Sequence, residues 1–275
     1  MLLNLNDMLF HAKQNLYAVP QFDVIDRISC SEIISSATSS FMPVLLNINA
    51  SELKSEEKII SALKEAESQA EISINPVCIT ISGTSDAELI KKAFDSGASS
   101  VFLDLEDFSA LNGGDLPKAV SEIIKAAHSY SGTTEITEKL IHCITSESTD
   151  SSDEKKALVL LLEYLKDMDI DVLSIDTTLS LRNSPVNKPI LSLEHIVHMA
   201  RETDIPLSAH LVNGYSEFDL IHAVGNGVCK IDFPNGTRIL KGSVLEKNPD
   251  YITLSKNGRD NSSAMIDLFK IVTNR

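Results

Sequence analysis

The stretch IPLSAHLVNG, residues 205–214, is a short apolar run that ends in a histidine and a turn. Such a run is typical of a buried parallel β-strand, and His210 then stands at the carboxyl end of that strand. Barrels built from alternating strands and helices place their chemistry at this end. His210 is therefore a candidate functional residue, although a core or rim histidine bonded to a neighbouring backbone group is the simpler interpretation.

The same unit recurs along the chain: an apolar run, a polar turn, an amphipathic helix, and a glycine or proline before the next run. We predict eight strands, which lie within residues 16–24, 43–49, 76–83, 98–104, 133–145, 171–175, 205–214 and 228–233. Helices separate the strands. Thr84 or Ser85 caps the one after the third strand, and the closing helix spans Asp260 to Val272. Eight units of about 30 residues predict an α/β protein, a single (β/α)8 TIM barrel over residues 1–275.

Charge and composition exclude several classes of function. The chain has 24 Lys and Arg against 39 Asp and Glu, a formal net charge of −15. This acidity disfavours nucleic acid and anionic membranes as partners, because both favour basic patches. No apolar run approaches the roughly 20 residues of a membrane-spanning helix, and the N-terminus lacks a signal peptide's basic segment. Four scattered cysteines without a C-x-x-C pair indicate reduced thiols, so we expect a cytoplasmic protein.

Several segments resemble the class II (zinc-dependent) fructose- and tagatose-bisphosphate aldolases, from Met1 to about Leu240. The likeness is clearest in YAVPQFD, residues 17–23, which follows a short helix and is similar to the family's Y-A-V-G-x-F-N. It recurs in MPVLL at 42–46, in AFDSGASSVFLD at 93–104 and in the stretch at 205–214. The resemblance implies the family's (β/α)8 barrel.

The resemblance also implies a zinc ion held by three histidines and an aspartate that moves a proton during carbon–carbon bond cleavage. The family's H-L-D-H-G aligns with TISGT at residues 80–84. Ser82 therefore replaces the catalytic aspartate and Gly83 the first zinc histidine. The second histidine falls on Leu181, and only the third remains, as His210. Since a catalytic zinc needs three protein ligands, we predict no bound cofactor.

Other positions of the family's site differ as well. Glu135 matches the first glutamate of the strand-five motif and is, with Ser82, our candidate for the catalytic position. The family's N-V-D-T on strand eight reads DFPN at residues 232–235. Asp232 would repel a phosphate dianion there, so we expect bisphosphate binding to be lost or strongly weakened. The resemblance assigns substrate binding to Asp23, Arg182, Asn213, Gly214, Asp232 and Asn235.

Three further groups offer alternatives. His195 and His198 have a metal-capable i, i+3 spacing, although a solvated outer helix face is the simpler interpretation. Lys230 permits a Schiff-base hypothesis, but it resembles a family lysine at the start of strand eight, far from the catalytic end. The third group could form an acidic mouth at the carboxyl end of the barrel. Such a mouth would bind a cation or an amine, although a plain solvated rim is the simpler interpretation. The residues of this group are Asp23, Glu106, Asp107, Glu135, His210 and Asp232.

These observations support three hypotheses of function. The leading one is a divergent class II aldolase homologue without zinc-dependent aldolase activity, retained to bind a sugar phosphate or another small molecule, or for assembly. The second is an active carbon–carbon lyase on a phosphorylated sugar whose rebuilt metal site uses His210 with Glu135 or Asp232. The third is a scaffold paired with an active aldolase paralogue. Because family members form dimers and tetramers, we expect a homo-oligomer or such a mixed complex.

Overall fold

The computed structural model describes residues 1–24, 26–111, 113–146, 154–175, 193–210 and 217–233. Within these ranges, eight parallel strands pair in chain order, and β1 pairs with β8 to close the barrel. Helices lie between the strands. The predicted (β/α)8 barrel is therefore confirmed, whereas the predicted closing helix, Asp260 to Val272, lies outside the described residues.

The strands have the bounds β1 Val19–Asp23, β2 Val44–Asn49, β3 Val77–Ser82, β4 Ser100–Leu103, β5 Thr133–Thr137, β6 Val172–Ile175, β7 Leu207–His210 and β8 Val228–Phe233. The described helices are α1 Leu5–Gln14, α2 Arg27–Ser39, α3 Ala50–Leu53, α4 Glu56–Ile72, α5 Ala87–Phe94, α6 Leu116–Ser129, α7 Glu138–Ser146, α8 Glu154–Asp167, α9 Leu193–Glu202 and α10 Glu217–Gly225. Two short 3₁₀ helices, Leu105–Phe108 and Gly113–Asp115, precede α6.

Alternate residues of each strand serve different parts of the core, because successive side chains point to opposite faces. In β3, Ile79 and Ile81 belong to the large aliphatic cluster that the strands form with the helices. Between them, Thr80 Oγ1 lies 2.6 Å from Ser100 Oγ of β4, and both side chains are fully buried. At this level of the barrel, β3 and β4 therefore place hydroxyl groups on the inner face, while the outer face of β3 is aliphatic.

Helix α1 closes the amino-terminal end of the barrel. Its apolar residues pack in one cluster with residues near the starts of five strands. The cluster comprises Leu5, Met8, Leu9, Ala12, Val19, Leu45, Cys78, Val172 and Cys229. The amino-terminal end is therefore filled by apolar side chains, which leaves the carboxyl end of the strands for the polar ones.

Two boundaries differ from the sequence prediction. Asp86, rather than Thr84 or Ser85, caps α5: its Oδ1 accepts the backbone N–H groups of Glu88 and Leu89 at 2.9 and 3.2 Å. Strand β5, Thr133–Thr137, lies within the predicted range 133–145, and the rest of that range belongs to helix α7, Glu138–Ser146, which the sequence did not predict. A short apolar run does not distinguish a strand from the buried face of a helix, which explains the second difference.

Two further expectations concern the state of the cysteines and the presence of a membrane-spanning helix. All four cysteines are free, and Cys30, Cys78 and Cys229 are buried, as predicted, while Cys143 is half-buried. In the described ranges, no helix has the combination of length and apolar character needed to traverse a bilayer.

Asp171, the residue before β6, connects several elements at the amino-terminal end of the barrel. Its Oδ2 accepts the backbone N–H of Thr134 at 2.7 Å and the Thr134 hydroxyl at 3.0 Å, and it lies 3.0 Å from His128 Nε2. Its Oδ1 accepts an N–H of the Asn6 side chain at 2.9 Å. One carboxylate thus joins α1, β5 and α6 to the start of β6.

We predict that Asp171→Asn lowers the free energy of unfolding by about 2 kcal/mol, because an amide NH2 group must then face donors that the carboxylate accepts. Urea denaturation followed by circular dichroism measures the change. Asp169→Asn is the matched control, since the Asp169 side chain is 96% exposed. Equal stabilities of the two variants would contradict this role for Asp171.

Candidate functional site

A cavity of about 220 Å³ opens at the carboxyl end of the strands. We call it the mouth cavity. Its described lining consists of Gln21, Asp23, Asn47, Asn49, Ser51, Glu52, Ser82, Gly83, Phe102, Asp104, Glu106, Asp107, Asp232 and Phe233. In β1 and β2 the polar lining residues are two apart, as the alternation of a strand requires. The cavity therefore lies where barrel enzymes carry their function.

The mouth cavity is strongly acidic. Six of its lining residues are Asp or Glu, and none of the described ones is Lys, Arg or His. Burial raises the pKa of Asp107 to about 6, and the charges of Asp104 and Glu106 add to this effect, while the Asp104 backbone N–H opposes it. Burial, together with the charge of Asp23, also raises the pKa of Glu52. The carboxylates are thus crowded enough to oppose each other's ionisation.

The structure brings four of the predicted acidic residues together: Asp23, Glu106, Asp107 and Asp232 all line the mouth cavity. Glu52, which the sequence prediction missed, joins them from α3. Glu135 does not belong to this described lining. The predicted roles of the lining residues in substrate binding stay predictions.

The backbone conformation and the surroundings of position 83 require a glycine. The backbone of Gly83 has φ +71°, a left-handed conformation that side-chain-bearing residues rarely adopt. A Cβ at this position would lie 2.3 Å from Asn49 Oδ1 and 3.0 Å from the backbone nitrogen of Ser51. That Asn49 oxygen accepts the backbone N–H and the hydroxyl of Ser51 at 3.0 and 2.8 Å. A side chain at position 83, which the resemblance aligns with the family's first zinc histidine, would therefore collide with Asn49.

Glu135, our candidate for catalysis, is part of a buried ionic triad with Lys230 and Asp232. Lys230 Nζ lies 2.8 Å from Glu135 Oε2 and 3.0 Å from Oε1, and it also donates a hydrogen bond to Asp232 Oδ1. The Lys230 and Glu135 side chains are fully buried, and Lys230 Nζ stands 5.6 Å from the centroid of the Phe102 ring. Glu135 is therefore held in an ion pair with the ammonium group of Lys230, beneath the mouth cavity.

The triad also bears on the Schiff-base hypothesis. Burial by itself lowers the pKa of Lys230, but the charges of Asp232 and Glu135 outweigh burial, and the pKa is raised overall. Burial raises the pKa of Glu135, against the opposing charge of Lys230. A nucleophilic lysine requires a lowered pKa, so the environment of Lys230 suits a structural cation rather than Schiff-base chemistry.

The other predicted ligands are only partly described. His210 is the last residue of β7 and pairs in register with Asp232 of β8. The remaining predicted positions lie outside the described residues: Leu181, Arg182, Asn213, Gly214 and Asn235. Within the described ranges, His, Cys, Asp and Glu side chains form no group of three or more able to hold a metal ion.

A histidine–carboxylate cluster at Glu138 corrects the interpretation of His195 as part of a solvated face. His195 Nε2 lies 2.9 Å from Glu138 Oε2, and His142 Nε2 lies 3.4 Å from Glu138 Oε1. Glu138 is 1% exposed. Sequence reasoning missed this glutamate because it predicted no helix directly after the fifth strand, although a carboxylate directly after a barrel strand was the available signal.

We predict that Lys230→Met lowers the free energy of unfolding by about 3–5 kcal/mol, because two buried carboxylates lose their cation. The triple variant Lys230→Met, Glu135→Gln, Asp232→Asn should regain much of this loss, since it removes all three charges. Denaturation curves of the three proteins at pH 7 make the comparison. If the triple variant were as unstable as the single one, the ionic account of the triad would be wrong.

We predict that Asp107→Asn stabilises the protein more at pH 7.5 than at pH 4.5. The folded-state pKa of about 6 lies above the ordinary 3.8, so the folded state favours protonated Asp107 and loses this contribution as pH rises through 6. The stabilising effect of the substitution should be about 2 kcal/mol larger at pH 7.5 than at pH 4.5, at about 1.4 kcal/mol per pKa unit. Urea denaturation of both proteins at the two pH values checks it, and a difference independent of pH would contradict it.

Comparison with known proteins agrees with this barrel. The family model "Fructose-bisphosphate aldolase class-II" matches residues 3–272. The fructose-bisphosphate aldolase of Giardia intestinalis is 24% identical over 275 residues, which cover 90% of this chain and 82% of that protein. The one from Mycoplasma pneumoniae is 24% identical over 240 residues, or 84% of this chain and 79% of that one.

Solved structures show the same fold. The YdjI aldolase from Escherichia coli K12 superposes with a TM-score of 0.73 at 17% identity, covering 99% of this chain and 97% of that one. At such low identity, this likeness supports the architecture alone. The match of the family model over nearly the whole sequence goes further, and by that match this chain belongs to the class II fructose-bisphosphate aldolase family.

Proposed function

We propose that this chain is a non-catalytic member of its family, retained for binding or assembly rather than for zinc-dependent aldol cleavage. The observation that carries the proposal is the local structure at Gly83. At the position that the resemblance aligns with the family's first zinc ligand, this chain has a residue without a side chain, in a left-handed backbone conformation, with Asn49 in the space where a Cβ would stand. Family membership fixes the fold, but function depends on the residues of the site.

The family's zinc ion does not fit the described residues of this site. Gly83 supplies no ligand atom, and Ser82 brings a hydroxyl where the family has a carboxylate. A catalytic zinc keeps three protein ligands and one open position. His210 is then the one family ligand that this sequence retains.

The charge of the mouth cavity also disfavours the family's substrates. A phosphate dianion about 6 Å from one carboxylate is opposed by about 5 kcal/mol at an effective dielectric constant near 20. The described lining has six Asp and Glu side chains and no cationic residue to compensate this repulsion. A ligand without phosphate groups suits this cavity better than a sugar bisphosphate does.

One observation favours a second candidate, an active lyase with a rebuilt metal site. His210 and Asp232 are direct partners in the β7–β8 register, so their backbones stand side by side at the carboxyl end of the barrel. A metal held there would use an imidazole and a carboxylate, both of which are ordinary zinc ligands.

Metal analysis of the untagged protein, combined with a cleavage assay, separates the two candidates. We expect zinc far below one ion per chain, and no cleavage of fructose 1,6-bisphosphate or tagatose 1,6-bisphosphate above background after zinc is added. The physical reason is that too few ligands remain to retain the ion. Stoichiometric zinc with measurable cleavage would overturn the proposal.

His210→Ala serves as the control for the second candidate. Ligand binding to the folded state raises the melting temperature. A rise in melting temperature with Zn²⁺ that is present in the native protein and absent in His210→Ala would support the rebuilt metal site. No response to Zn²⁺ in either protein would support the non-catalytic member.

A further inference from the structure

Three buried polar atoms in the mouth cavity have no hydrogen-bond partner among the described residues: Gln21 Oε1, Asn47 Oδ1 and Ser82 Oγ. Their side chains are deeply enclosed, with residue exposures of 4%, 5% and 4%. A buried polar atom without a partner carries a desolvation cost of about 1–3 kcal/mol. Two amide oxygens and a hydroxyl are thus available to a ligand that donates hydrogen bonds.

The orientation of Asn47 is fixed by its neighbour. Asn47 Nδ2 donates a hydrogen bond of 2.6 Å to Asp23 Oδ1. This bond places the amide nitrogen toward the carboxylate and leaves the amide oxygen as the free acceptor. Asp23, Asn47 and Gln21 lie on the neighbouring strands β1 and β2, so their acceptor atoms face one region of the cavity.

The cavity is suited to a molecule with N–H donors rather than to a bare metal ion. No group of three or more potential metal ligands converges in the described part of the chain. The volume of about 220 Å³ is several times the roughly 30 Å³ that one water occupies in the liquid. A hydrogen-bonding cation of several heavy atoms would satisfy the amide oxygens and the carboxylates together.

We infer that the mouth cavity binds a small polar molecule carrying a primary ammonium group, which donates to Asp23 and to the amide oxygens of Gln21 and Asn47. This inference rests on the proposed function, in which the mouth is a binding site and not an aldolase site. Burial raises the pKa of Glu52 and Asp107 and the neighbouring carboxylates add to it, so a cation bound beside them would favour their charged forms. Hydroxyl groups on the ligand would find further partners in Ser82 and the remaining carboxylates.

Isothermal titration calorimetry of the full chain at pH 7.5 tests the inference with D-glucosamine and putrescine as probes. D-Glucose is the matched neutral probe, because it has the size of glucosamine but no ammonium group. We expect both amines to bind and glucose to bind at least ten-fold more weakly. If neither amine bound better than glucose, the mouth would be a solvated acidic rim and the inference would be overturned.

Two variants locate the site. Asp23→Asn removes one charge but keeps an oxygen acceptor, and we expect it to weaken glucosamine binding at least ten-fold. Gln21→Leu removes an acceptor at similar volume, and we expect a several-fold loss. Asp169→Asn is the control, because it makes the same change at an exposed position outside the cavity lining. Amine binding that survives Asp23→Asn unchanged would overturn the assignment, and unaltered melting temperatures verify that the variants fold.

A titration with MgCl2 alone distinguishes the ammonium ligand from a metal ion. Binding of Mg²⁺ without binding of the amines would overturn the inference in favour of a cation site. The proposed function is tested separately, by the zinc content of the protein and by the bisphosphate cleavage assay. If the protein contains no zinc, cleaves no bisphosphate and binds no amine, the ligand class alone is rejected. If it cleaves a bisphosphate, the proposed function itself is rejected.

Discussion

The barrel depends on the charge balance around Lys230. A lysine inside the barrel would be very costly if it were unpaired, since even a partly hydrated protein interior penalises an isolated ion by several kcal/mol. Glu135, on the opposite side of the barrel, and Asp232, on the same strand, compensate it. Below this triad, helix α1 fills the barrel with apolar side chains. Above it, the lining is polar, so the triad marks the boundary between a structural end and a binding end.

This balance determines the character of the mouth cavity. The ammonium group of Lys230 is already bonded to Glu135 and Asp232. It is therefore not available to pair with the other carboxylates that line the mouth cavity. Burial and neighbouring carboxylates therefore keep the pKa values of Glu52 and Asp107 raised. An anionic ligand that enters the described part of the mouth cavity therefore meets an excess of negative charge.

The fold was predictable because each unit repeats the same signals, and burial on both faces gives parallel strands long apolar runs. The acidic side chains after the strands were predictable for the same reason, since the carboxyl ends of all strands meet at one rim. Gln21 and Asn47 were missed, although their spacing of two from Asp23 and Asn49 assigns them to the inner face. The contact of Glu138 with His195 was not predictable. The two residues are 57 positions apart in the sequence, and their contact depends on how helices α7 and α9 pack in space.

The glycine at position 83 and the acidity of the mouth cavity are structurally linked through Asn49. Its Oδ1 occupies the space beside Gly83 and, with the same atom, accepts the backbone N–H of Ser51 at the start of α3. Helix α3 in turn brings Glu52 to the cavity. A side chain at position 83 would displace the Asn49 oxygen from this cap, and so disturb the helix that carries Glu52. Introducing a histidine at position 83 would therefore require coordinated changes in β2 and α3.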